Sequence, residues 1–175
     1  CKVILFEKES IGSGASAHAT GSIHLLGMEF SEGPSFELAL AGDSDFEHRV
    51  PTLETETGID LLYQRRPSLR LALDEEEETL IKKLMPWQEK HVSMHWIDGN
   101  EVRKIDSRFS KDILGAVFED ESTQLDSYRL TLALGQGAEH HGAELRLREV
   151  RGLVTRGDRV TGVLTSDGRE EYDWV

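Results

Sequence analysis

Cysteine, positive charge and long apolar runs are all scarce in this sequence. One cysteine in 175 residues excludes an internal disulfide framework and fits a reducing cytoplasm, the compartment expected here. No apolar run approaches the roughly 20 residues needed to cross a bilayer. No charged start followed by an apolar stretch and a small-residue cleavage site marks a secretion signal. Lysine and arginine number 20 against 33 aspartates and glutamates, for a net charge of −13. The basic residues are scattered among acids, so the stripe that tracks nucleic-acid phosphates is missing. Internal repeats and low-complexity linkers are absent as well. Nucleic acid and membrane are therefore not expected partners.

What remains is a chain with 38% hydrophobic and 30% charged residues, the balance of a globular protein. Its length suits one ordinary domain or two small lobes. Val3-Ile4-Leu5-Phe6 has no alternation and predicts a strand buried on both faces, as in parallel sheets. A loop rich in Gly, Ser and Ala follows, from Gly12 to Gly21. From Ser35, the positions Phe36, Ala39, Leu40, Phe46, Val50 and Leu53 make a helical stripe, with a break or kink expected at Pro51. Ile59 to Tyr63 and Leu69 to Leu73 read as short strands around the turn-prone "QRRPS".

Asp74 can cap a helix running to Glu89, with Leu80, Ile81, Leu84 and Trp87 on its inner face. The "DEEEE" run resembles a cation site. Acids also collect at helix N-termini because positive partial charge lies there, and that is the expectation. Val92 to Ile97 and Ile113 to Phe118 read as strands, with "DGNEVRKID" a turn and short helix between them. Asp126 caps a further helix that stops near Gly142. Strands over Ala143 to Val154, Arg159 to Thr165 and Tyr172 to Val175 complete the chain. The "RGD" in "TRGDRV" matches an integrin-ligand triplet, but Gly-Asp is ordinary hairpin chemistry, and a hairpin is expected. This order fits an α/β nucleotide-binding domain interrupted by a second lobe.

In dinucleotide-binding βαβ units, the second strand ends in an acid that accepts hydrogen bonds from the ribose hydroxyls. "KVILFEKE" has that form, with Glu7 at its carboxyl end. The loop "GSGASAHATGSIH" adds small side chains and hydroxyls, which let a backbone press against a flat or phosphorylated ligand. It runs into "SIHLL", too apolar for a simple solvent-exposed loop.

At these residues the sequence resembles the FAD-dependent amine and amino-acid oxidoreductases, the group of D-amino-acid oxidase, glycine oxidase and sarcosine oxidase. "VILFEKESIGSGASAHATGSIH" is similar to the family's second strand and flavin loop. Asp126, Gly142-Ala143, Val150, Val160 with Gly162-Val163, and Asp173-Trp174-Val175 match a later block in the right order. The resemblance implies FAD as cofactor. It places Glu7 and Lys8 at the adenosine, Ala15 and Ser16 at the pyrophosphate, and Thr20, Gly21 and Ser22 along the flavin ring. The main chain of Val150 would face the adenine, and His18 occupies the loop where some relatives carry a polar group toward the flavin.

The implied fold is an α/β, doubly wound, Rossmann-like FAD-binding domain over 1–58 and 126–175, interrupted by an α+β substrate lobe over 59–125. The implied reaction is hydride transfer from the C–N bond of a small amine or amino acid to flavin. Related enzymes acting on a 2-hydroxy acid or glycerol 3-phosphate, and a non-catalytic nucleotide-binding or interaction domain, are the alternatives. The family's G-x-G-x-x-G strand would precede Cys1, and further strands would follow Val175. The chain is thus expected to be the middle of a longer flavoprotein, to hold FAD weakly alone and to be inactive alone. No catalytic residue is assigned, and no oligomeric state is implied.

Other constellations carry less. His91 and His95 stand four apart, but Val92 occupies the place of the zincin glutamate, and "HVSMHWI" reads as a strand. No metal site is expected. His140 and His141 suit the end of a helix, where positive charge is favoured. Ser16 in "GASAH" lacks the glycine of a nucleophile elbow, His18 standing in its place. Cys1 carries no inference.

Overall fold

The computed structural model describes residues 1–23, 25 and 32–175. The chain begins with β1 (Ile4–Glu7), a 3₁₀ turn at Ala15–His18, β2 (Ser22–Ile23) and α1 (Pro34–Thr57). Then come β3 (Gln64–Ala72), α2 (Glu75–Gln88), β4 (Met94–Asp98), α3 (Gly99–Ile105) and β5 (Gly115–Gln124). The last part holds α4 (Ser127–His140), β6 (Glu144–Leu147), β7 (Val150–Arg156), β8 (Arg159–Thr165) and β9 (Gly168–Glu171). The α/β class is as expected. By internal contacts the chain divides into a first unit (1–20, 51–61 and 126–175) and a second (21–50 and 62–125).

In the first unit, β1 pairs in parallel with β6, Ile4 opposite Glu144 through Glu7 opposite Leu147. Parallel pairing needs a long connection, and α4 immediately precedes β6. Asp126 caps α4 by accepting from the Arg129 backbone N–H at 2.9 Å, as its position before the apolar run predicts. Strands β7, β8 and β9 form an antiparallel meander. The "RGD" triplet turns between β7 and β8 with Gly157 at φ +66°, the hairpin expected.

In the second unit, β5 is the central strand. β3 pairs with it along one edge, while β4 and β2 share the other. One core cluster gathers Ala72, Ile81, Met85, Met94 and Val117; another gathers Ile97, Val102, Ile113 and Ala116. Fully burying a valine such as Val102 contributes about 1.5–3 kcal/mol by transfer from water. Asp74 accepts from the Glu77 N–H at 2.8 Å, so the "DEEEE" acids occupy the cap and first turn of α2. Phe36 is 2% exposed and packs edge-on against Trp87 at 4.4 Å.

Several sequence expectations need correction. Ile59 to Tyr63 is not a strand: the Leu61 N–H donates to Glu54 Oε1 at 2.8 Å, and Leu62 takes φ +53°. "QRRPS" is part of β3 rather than a turn, and the ladder shifts register between Arg66 and Ser68, around Pro67. A residue without an N–H is tolerated in a strand at such an irregularity. Pro51 does not break α1, which runs on through it to Thr57. Tyr172 to Val175 is not a strand; β9 lies just before it. Val3 is 49% and Leu5 38% exposed, so β1 in this chain is not buried on both faces.

Candidate functional site

Strand β1 ends on Glu7, and β6 runs beside it to a turn that leads into β7 at Val150. The carboxyl ends of these parallel strands therefore open onto one place, where α/β sheets bind ligands. A cavity of about 550 Å³ lies there, lined by Glu7, Lys8, Ser13, Gly14, Arg148 and Val150 among others. Glu7 Oε1 accepts from the Glu9 N–H at 2.9 Å, which orients the carboxylate; its other oxygen has no partner among the described residues. Lys8 is 3.5 Å from Glu9 and remains solvent-exposed.

The loop beyond Glu9 is held by α4. At Gly12, with φ +76°, an added Cβ would stand 2.9 Å from the Tyr128 ring, so glycine permits both the turn and the close packing. Ser127 Oγ donates to the carbonyls of Ser16 at 2.6 Å and Ala19 at 3.2 Å. At Gly14 an added Cβ would meet nothing within 4 Å, so the backbone is open to approach from outside.

A charged network that includes the cavity-lining Arg148 joins β6 and the turn after it to β9 and its flanking residues. Arg146 bonds Glu144 at 2.7 Å and also Glu170, while Tyr172 donates to Glu170 at 2.7 Å. Arg148 reaches Glu170 Oε1 through Nη1 at 3.2 Å and Asp167 Oδ2 through Nε at 3.1 Å. Hydrogen bonds from Arg146 and Lys2 hold the Glu144 carboxyl down at about 2. The Tyr172 hydroxyl and the two arginines likewise lower Glu170.

The second unit has a cavity of about 490 Å³ between α1 and the sheet, and its chemistry is different. Arg65 there meets Asp43 at 3.3 Å, Glu47 at 2.8 Å and Glu121 at 3.9 Å. Thr123 donates to the second Asp43 oxygen at 2.7 Å. Glu119 lines the same cavity, is 2% exposed and accepts from Ser68 Oγ at 2.9 Å. Burial pushes its carboxyl up to about 7; the Asp43 charge adds to this, while Ser68 and Arg65 oppose it.

Of the cofactor residues expected from sequence, Glu7, Lys8 and Val150 line the first cavity together. Ala15 and Ser16 lie in the 3₁₀ turn of the adjoining loop, with His18 exposed at its end. Thr20 closes the first segment of the first unit. Gly21 and Ser22 belong to the second unit: the Gly21 carbonyl accepts from the Leu125 N–H, and Ser22 pairs with Gln124. His24 and Leu26 of the apolar "SIHLL" lie outside the described residues. Ser13, Gly14 and Arg148 line the cavity but were not singled out from sequence. Gly14 carried a signal, as the glycine immediately before Ala15. Arg148 carried none, because its partners come from a later turn and strand.

His91 packs edge-on against Phe36 at 5.1 Å, and His95 lies on β4 against Phe118. His141 pairs with Glu56 at 3.2 Å just past the end of α4. Among the described residues, no cluster of His, Cys, Asp and Glu could hold a metal ion, and no helix is long and apolar enough to cross a membrane.

A family model described as "FAD dependent oxidoreductase" matches residues 1–175, the whole chain. Among characterised proteins, the glycine oxidase of Geobacillus kaustophilus is 28% identical over 144 residues, covering 81% of this chain and 38% of the relative. The solved structure of glycine oxidase from Bacillus cereus superposes with a TM-score of 0.82 at 31% identity, covering 97% of this chain and 46% of that one. The Geobacillus kaustophilus glycine oxidase structure gives a TM-score of 0.85 at 26% identity, with the same coverage of both. The chain thus spans less than half the length of these relatives. With the acid-ended strand, the small-residue loop and the cavity they border, the full-length match settles the family: this chain belongs to the FAD-dependent oxidoreductases.

Proposed function

We propose that the parent protein oxidises the C–N bond of a small amine or amino acid, and that this chain supplies the adenosine end of its cofactor site. The observation that carries the reading is the cavity at the carboxyl ends of β1 and β6, where Glu7 and Val150 converge. The residues present fit FAD. Glu7 keeps a carboxylate oxygen for the ribose hydroxyls, which donate. Gly14 leaves its backbone open beside the cavity, as close approach of a pyrophosphate requires.

Glu7 and Lys8 hold the ribose end, and the Val150 main chain borders the adenine. Ala15 and Ser16 serve the pyrophosphate, and Thr20, Gly21 and Ser22 the passage toward the flavin. The cofactor supplies the two-electron acceptor. The chain's own contribution is to bind and orient it: Ser127 and Tyr128 on α4 fix the loop from Gly12 to Ala19 before any ligand arrives. The substrate class rests on the likeness to glycine oxidases. The single cysteine favours a cytoplasmic setting.

The test is to reconstitute the full-length parent with FAD and mix it, without oxygen, with small amino acids and amines. Loss of the visible flavin absorbance with glycine, sarcosine or another member of that panel is expected. Bleaching by 2-hydroxy acids or glycerol 3-phosphate alone would overturn the substrate class. Failure to take up FAD would overturn the function.

A further inference from the structure

Arg148 has a place in the first cavity that its neighbours in sequence do not explain. It follows β6 and precedes β7, so it stands at the carboxyl end of the strand beside β1 and lines the same space as Glu7 and Val150. A surface arginine ordinarily samples many rotamers, and ordering one for a ligand costs conformational entropy. Here two carboxylates on a different part of the chain already hold the guanidinium. Asp167, in the turn between β8 and β9, takes Nε at 3.1 Å; Glu170, on β9, takes Nη1 at 3.2 Å. Neither acid lines the cavity. Glu170 also accepts from Tyr172 and pairs with Arg146, so its position does not depend on Arg148 alone. Nη2 and the planar face are left without a bonded partner among the described residues.

We propose that Arg148 is a contact for the adenine of the bound cofactor, its planar guanidinium pre-oriented by Asp167 and Glu170. This rests on the cavity being the adenosine site, and it makes the β8–β9 turn a positioning element for the cofactor. A flat cation held in place suits a purine face, since guanidinium planes stack on aromatic systems. Lysine keeps the charge but not the plane, so the exchange is not conservative at such a position. Asp167 acts only through Arg148 and is a positioning residue.

The experiment titrates FAD, and separately FMN, into the apo form of the full-length parent and follows flavin fluorescence. FMN lacks the adenosine and serves as the internal control. Arg148→Met and Arg148→Lys are both expected to weaken FAD by about tenfold while leaving FMN unchanged. Asp167→Asn, in an exposed turn away from the cavity, is expected to weaken FAD by roughly twofold to threefold with no change in melting temperature. If R148M misfolds, D167N carries the test by itself. FAD affinity unchanged in R148M and D167N, or FAD and FMN weakened equally, would overturn the proposal. A wild-type parent that binds no FAD would instead overturn the flavin reading on which it depends.

Discussion

Each unit of this chain contains an arginine-centred charge cluster beside a cavity, and the two clusters behave in opposite ways. In the first unit Arg146 and Arg148, with Lys2, face Glu144, Asp167 and Glu170, so the cations match the anions in number. The carboxylates there are drawn down, Glu144 to about 2. In the second unit Arg65 serves Asp43, Glu47 and Glu121 by direct ion pairing, and Glu119 shares their cavity. Burial pushes the most enclosed of these four carboxylates up to about 7, the Asp43 charge adds to it, and the single guanidinium only partly opposes it. The residue types are the same. Stoichiometry and burial decide which form of the acid is favoured.

The largest expected effect concerns Glu119. Its ordinary value is 4.5 and its folded value about 7. Between these pH values the folded chain binds a proton that the unfolded chain has released. Stability is therefore highest below about pH 4.5 for this group and falls as pH rises through 7. The total is on the order of 3 kcal/mol. Glu119→Gln keeps the shape and should flatten that slope in urea melts collected across the window. A slope unchanged by the substitution would remove the contrast between the clusters.

Arg65→Met should cost about 2 kcal/mol at neutral pH, by leaving the Asp43 and Glu47 carboxylates without their cation. The figure lies below that for a fully buried pair because the guanidinium is 27% exposed. The same change should move the Glu119 titration upward, since Arg65 is one of the groups holding it down. The smallest effect is in the matched cluster, where Glu144 is solvent-screened. Carboxyl NMR should place its midpoint at about 2 in the native chain and restore it toward 4.5 in Arg146→Met. Any stabilisation from Glu144 is present above its unfolded value and lost as pH falls toward 2, the reverse of Glu119.

Local chemistry was legible in the sequence where partners are close along the chain. Asp74 and Asp126 cap their helices because the acceptor and its donors lie three residues apart. Glu7 stood out as an acid at the end of an apolar strand, whereas Val150 was reached only through the family resemblance; the two line one cavity. Ile59 to Tyr63 misled because its apolar residues suggested strand pairing, whereas Leu61 bonds Glu54 on α1 and Asp126 ahead of α4. Pro67 looked like a turn signal; only pairing with β5 reveals that it sits in a ladder irregularity. Arg148 and Glu119 stayed hidden for a related reason. Each is defined by partners distant along the chain, Asp167 and Glu170 for one, Ser68 and Asp43 for the other. Side-chain electrostatics of that range has no periodicity to read.

The most direct measurement is a crystal structure of the FAD-loaded full-length parent. The expected result places the ribose hydroxyls within hydrogen-bonding distance of the Glu7 carboxylate and the adenine beside the Val150 main chain. A cofactor bound elsewhere, with Glu7 turned to solvent, would contradict the assignment of this cavity to the adenosine end of FAD.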